Sequence, residues 1–174
     1  MSRKSWLLVF ALSTLLAFAG VSYAAMIDAP LRDNIGVGDV SGGEKSNPLW
    51  ESDIGNDEVR SALRRSLDSE GVLERARGEG RYVLSAVLES IDLPNTGPLS
   101  VTARVRYTLT DKKSGKEVYA ESISGEYTAQ LWYSLLNRKI LREACAGAVR
   151  ANTGRLAKSL RQLSPSQSEV SLLH

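Results

Sequence analysis

Two residue types that build many small catalytic centres are almost missing from this chain. Its 174 residues include one cysteine, Cys145, and one histidine, His174, which is the last residue. A single thiol excludes an internal disulfide, even in an oxidising compartment. It also excludes a zinc site built from His and Cys, and a lone terminal His excludes a histidine-based triad. General acid–base chemistry would fall to carboxylates or Lys. The acids are scattered, with no recognisable pair in one short segment. No six-residue period runs through the chain, so it does not read as a hexapeptide-repeat acyltransferase. No enzyme and no cofactor are expected on these grounds.

An excess of one charge is lacking as well. The formal charge of +2 comes from 22 basic and 20 acidic residues. Arg3 and Lys4 account for the difference and sit in a segment with the layout of a secretory signal. They precede an apolar run of 14 residues, Trp6 to Ala19, and small residues at Ser22 and Ala24. The run is short for a span, which needs roughly 20 apolar residues. Cleavage is expected after Ala24, leaving a net charge of zero and no bulk attraction to nucleic acid. Phe18, Ala19 and Gly20 nearly spell a lipoprotein processing site, but Val21 stands where the lipid-bearing Cys would be. The expectation is a soluble, periplasmic, non-lipidated protein.

The remaining length suits one domain. Residues 25–46 read as a lead-in and a first short strand, 47–163 as the rest of the domain, and 164–174 as a mobile tail. In the first of these, Ile35 and Val37 alternate with glycines. The run Gly36-Val37-Gly38-Asp39-Val40-Ser41-Gly42 approaches a dinucleotide fingerprint, but its third glycine is displaced and no helix starts there, so a strand end is the better reading. Val59, Leu63 and Leu67 recur every four residues with Ala62 beside them, predicting a helix over 57–70. Asn56 or Asp57 would cap it and Gly71 would end it.

Three strands are expected next. Residues 81–93 place Tyr82, Leu84, Ala86 and Leu88 on one face and Val83, Val87 and Ile91 on the other, as in a central strand. Residues 99–110 alternate cleanly, with Leu99, Val101, Ala103, Val105, Tyr107 and Leu109 facing in. DKKSGK at 111–116 is a turn, and 117–129 closes the hairpin with weaker patterning. A long helix over 136–163 carries Leu141, Cys145, Ala148, Asn152, Leu156, Ser159 and Leu163 on one stripe. Cys145 there reads as a small buried apolar residue, and Asn152 as an amide that must find a backbone partner. The product is a two-layer α/β sandwich, β-α-β-β-β-α, with a four-stranded sheet and two helices on one face.

NPLW at 47–50, RYVLSAVLESID at 81–92, VTARVRYTLTDKKSGKEV at 101–118, EYTA at 126–129 and LREACAGAVRANTGRLAKSL at 141–160 together resemble small bacterial envelope proteins, mostly lipoproteins of uncharacterised or accessory role. The element order is also similar to the lipoprotein plug of the lipopolysaccharide translocon and to the amino-terminal domain of curli-secretion and Tol-associated proteins. The resemblance implies an envelope location, a protein partner and no catalytic motif. The missing lipobox Cys sets this chain apart from most of that group.

Two candidate surfaces follow. Leu131, Trp132, Tyr133, Leu135 and Leu136 crowd the junction between the last strand and the long helix, either plugging the end of the core or forming a patch for a partner or a lipid head-group zone. Trp50, just before the first helix, reads as its counterpart or as a staple for that helix. The long helix holds seven Lys or Arg from Arg138 to Arg161 against one acid, Glu143. Lys139, Arg150 and Arg161, spaced by 11, line one face: a basic ridge for an anionic partner, or an ordinary solvated face. The expected function is non-enzymatic docking to an envelope assembly or transport component. A lipid- or glycolipid-binding module and an enzyme using carboxylate or Lys chemistry are the alternatives.

Overall fold

A computed structural model describes residue 27 and residues 29–43, 54–94, 97–132 and 138–163. The expected signal segment, the tail, Trp50, Tyr133, Leu135 and Leu136 lie outside the described residues, as do the side chains of Leu131 and Trp132. The elements are β1 (Ile35–Ser41), α1 (Asn56–Ser69), β2 (Tyr82–Asp92), β3 (Pro98–Asp111), β4 (Glu117–Trp132) and α2 (Arg138–Leu163). The strands form one sheet in the order β1-β2-β3-β4. β1 and β2 are parallel, joined through α1, and the other neighbours are antiparallel. The result is the expected two-layer α/β architecture.

α1 buries Val59, Ala62, Leu63 and Leu67, with Asp57 and Glu58 in the first turn, where the helix dipole favours them. The expected side-chain cap is absent. Gly55 occupies the cap position, and the Asn56 Oδ1 instead accepts the Gly43 N–H at 3.0 Å, tying the end of β1 to the start of α1. At the other end Gly71 takes φ +68°. The Val72 N–H donates to Leu67 O and the Gly71 N–H to Asp68 O, the paired bonds of a Schellman stop. Val72 to Glu74 then run beside β1, and Leu73 bridges Ile35.

β3 alternates as its sequence predicts, and every inward residue from Leu99 to Leu109 is buried. β2 departs from expectation at one point. A bulge between Leu88 and Ser90 adds a residue, so Ile91 turns to the buried face while Val83 and Val87 stay on the other, Val87 at 43% exposure. β4 is longer than its pattern suggested and reaches Trp132, which pairs with Pro98. Leu131 and Trp132 therefore belong to a strand end, not to a free connection.

α2 lies across β3 and β4 and alongside α1, and α1 packs on β1. The two helices run parallel: Arg142 meets Glu58, the Thr153 and Ser66 hydroxyls lie 2.9 Å apart, and Arg161 meets Glu70. Because α2 is wedged between sheet and α1, it buries more than the predicted stripe. Val149, Thr153, Ala157 and Leu160 are buried with Cys145, Ala148, Asn152 and Leu156, whereas Leu141, Ser159 and Leu163 are half-buried.

The two layers approach closely at Gly125 of β4. A Cβ added there would lie 2.3 Å from the Asn152 backbone nitrogen. Helix and strand backbones touch because Gly125 has no side chain. Gly125→Ala should therefore destabilise the domain by about 2–3 kcal/mol through overpacking against rigid backbone. Gly154→Ala, in α2 with nothing within 4 Å of the added Cβ, should stabilise it by about 0.5–1 kcal/mol. Urea unfolding of both variants checks the opposite signs.

Candidate functional site

The cationic residues of α2 divide into those consumed by the fold and those left to solvent. Arg142 donates to Glu58 across the helix pair, and Arg155 Nη1 donates to Ser124 O of β4 at 2.6 Å. Both bonds hold α2 in place. Lys139, Arg150 and Arg161 are exposed on the outward side, as their spacing predicts. Arg161 is also tied, to Glu70 at 3.1 Å, an exposed pair worth at most about 1 kcal/mol.

Two hollows flank the ridge. A groove of about 370 Å³ between the helices is lined by Ile54, Asp57, Glu58, Ala62, Arg65 and Arg150, among others. Small residues at the helix contact, Ala62 and Ala146, leave it open. The Glu58 Oε2 is buried beside it without a hydrogen-bond partner, while Oε1 receives Arg142. A second hollow of about 500 Å³ lies at the carboxyl ends of both helices, where Arg32, Asp68, Glu70 and Arg161 surround it. Both hollows carry charges of mixed sign. The three ridge cations are thus on one side of the molecule but do not converge on one pocket.

The groups whose acidity departs most from the ordinary lie elsewhere and are held by the fold. The bidentate Arg81 guanidinium, at 3.1 and 2.8 Å, holds the Asp111 carboxyl well below the usual range. Burial opposes this, while the Lys113 N–H and the Ser114 hydroxyl add to it and tie the β3–β4 turn. Burial works against the charged form of Glu74, yet N–H groups of Gly78 and Gly80 and the charges of Lys112 and Arg64 lower its pKa. The Gly80 bond is 2.9 Å. Burial raises the Tyr107 phenol, whose O–H donates to Asn152. It pushes the Cys145 thiol up to about 11. Cys145 packs in the core as expected. These groups are held by hydrogen bonds within the fold or by packing. Among the described residues no group of three or more His, Cys, Asp or Glu is placed to hold a metal.

The sequence reading missed the turn-closing role of Asp111 and the groove. The first depends on Arg81, thirty positions away in the chain. The second needs the parallel helix pairing.

No family model matches this chain, and no curated protein matches it. Solved structures do. Protein XCC0632 from Xanthomonas campestris, assigned to the family model DUF330, matches with a TM-score of 0.61 at 10% identity, over 84% of this chain and 91% of that one. The chain shares the fold of XCC0632. A looser likeness links it to the PelC dodecamer from Paraburkholderia phytofirmans (TM-score 0.46, 19% identity, 81% and 94% covered). Another links it to a minor lipoprotein from Acinetobacter baumannii (0.42, 14%, 76% and 91%). No described helix is long and apolar enough to cross a membrane.

Two outcomes follow. Asp111 has a folded pKa below its ordinary 3.8, so its contribution is complete above that value and is lost as pH falls below it. Asp111→Asn should lower Tm at pH 7, and the gap from the parent protein should shrink as pH falls below 3.8. Cys145 should resist a thiol reagent in the native protein and react fully once urea unfolds it.

Proposed function

We propose that the protein is a non-enzymatic accessory protein of the bacterial envelope that acts in the periplasm, after loss of residues 1–24, by docking to an envelope assembly or transport component. One observation carries this reading. α2 spends its apolar and small residues on the core and on α1, and spends Arg142 and Arg155 on holding its position. Lys139 and Arg150 remain outward, exposed, on a rigid helix. A charged face held on a packed helix is suited to recognition of an anionic partner surface, where charge steers encounter and excludes wrong partners.

The end of β4 at Trp132 and the start of α2 at Arg138 lie close in sequence to Lys139. The candidate patch Leu131, Trp132, Tyr133 and Leu135, with Trp50, would supply the apolar anchor that a charged rim needs. The resemblance of its sequence segments to small envelope proteins supports the location. A carrier of lipid between sheet and helices is less well supported, because that interlayer space is filled by Leu84, Leu99, Leu109, Leu156 and their neighbours, all fully buried.

A photo-crosslinking residue at position 139 or 150, introduced in the native cells, should give one discrete protein adduct. Adding Arg150→Glu to the position-139 probe should remove it while changing stability by less than about 0.5 kcal/mol, as expected for an exposed site. Adducts to lipid alone would contradict docking.

A further inference from the structure

The sheet has two edges, and they are treated differently. β1 is short, and its outer side is covered at the start by Val72 to Glu74: Val72 O accepts the Ile35 N–H at 3.0 Å, and Ile35 O accepts the Glu74 N–H at 2.9 Å. β4 spans 16 residues, and among the described residues no strand pairs with its outer side. Proteins guard long edges with Lys, Pro or bulges. β4 has neither Lys, Arg nor Pro, and its ladder with β3 is regular from Tyr119 to Ala129.

Which backbone groups face outward follows from Asn152. Its Nδ2 donates to both Ala103 O and Ile123 O. Those two oxygens must therefore lie between β3 and β4. Alternation along an extended strand then turns the N–H and C=O of Ser122, Ser124, Glu126 and Thr128 to the outer side. The Arg155 guanidinium meets Ser124 O, a side chain satisfying one acceptor of a row that no described strand pairs. Glu121, Ser122, Glu126, Tyr127 and Thr128 are exposed here, Tyr127 at 42%. The charges borne by β4 itself are all carboxylates: Glu117, Glu121 and Glu126.

We propose that the outer edge of β4, from Glu121 to Thr128, is a strand-addition site for an extended basic segment of a partner protein. Backbone hydrogen bonds to Ser122, Glu126 and Thr128 and from the Ser124 N–H supply affinity. A Lys or Arg side chain opposite Glu121 or, on the other face of the sheet, opposite Glu126 supplies selectivity, and Tyr127 offers a face to a neighbouring cation. A second copy of this chain is the poorer occupant, because it brings three more carboxylates to the same edge. The inference rests on the docking reading and adds to the basic face of α2 a second contact surface, of opposite charge.

The test uses the purified protein and three synthetic peptides: alternating Lys and Val, alternating Glu and Val, and alternating Lys and Pro. The Lys/Val peptide should bind and slow amide exchange at Ser122, Ser124, Glu126 and Thr128. The Glu/Val peptide lacks the charge, and prolines hold the Lys/Pro peptide in a threefold polyproline helix that cannot align alternate N–H groups along one edge, so both should fail. Ser122→Pro removes an outward N–H that β3 does not use, and should weaken binding about tenfold. Glu121→Lys with Glu126→Lys should transfer the preference to the Glu/Val peptide, which keeps the test valid if the proline variant folds poorly. Equal binding of the Lys/Pro peptide, protection elsewhere, or no binding overturns the proposal. So does concentration-dependent protection of the same amides without peptide, which would assign the edge to a second copy. If peptides fail while charge reversal at Arg150 still removes the cellular adduct, the edge assignment falls and docking stands.

Discussion

One buried amide fixes the relation between the two layers. Asn152 sits at the centre of the buried side of α2 and is fully enclosed. Its Oδ1 accepts the Tyr107 hydroxyl at 2.6 Å, and its Nδ2 donates to carbonyls of Ala103 on β3 and Ile123 on β4. Apolar packing alone would let a helix slide or rotate over a sheet at small cost, since burial is non-directional. Three directional bonds in a low-dielectric interior do not permit this, because a shift leaves polar groups buried without partners. Gly125 makes the approach possible by leaving room for the helix backbone.

The rest of the molecule inherits that placement. With α2 held over β3 and β4, Arg155 reaches Ser124, and Thr153, Arg142 and Arg161 meet α1 at Ser66, Glu58 and Glu70. Lys139 and Arg150 then have no direction left but outward, and the open side of β4 keeps its backbone groups in the sheet plane. The surfaces proposed for docking are consequences of how the core is pinned. They are rigid because the amide is satisfied, and Asp111, Tyr107, Glu74 and Cys145 are held in structural bonds or buried packing.

Much of this was legible residue by residue, and the failures have physical causes. β3 could be read because one face is buried and the other solvated, so alternation is strict. Ile91 was misassigned because the bulge adds Glu89 to β2 without a turn residue to announce it. β4 looked weakly patterned because its inward row includes Gly125, required by the helix above, and Glu121, whose carboxylate accepts the Tyr119 hydroxyl. Asn152 stood out as a polar residue in an apolar stripe, and its need for partners followed from burial. Their identity did not, since Tyr107 is 45 positions away. Asn56 looked like a helix cap, but its amide serves Gly43. The exposure of Lys139, Arg150 and Arg161 was readable from spacing alone, whereas the edge position of β4 requires the strand order.

The central claim is that the Asn152 amide and the Tyr107 hydroxyl act as one unit. A double-mutant cycle with Tyr107→Phe and Asn152→Ala, followed by urea unfolding, tests it most directly. The account predicts a coupling energy of about 1–3 kcal/mol, with the double variant about as stable as Asn152→Ala alone. Losses that simply add, or two single variants each within about 0.5 kcal/mol of the parent protein, would contradict it and leave the layers held by apolar packing alone.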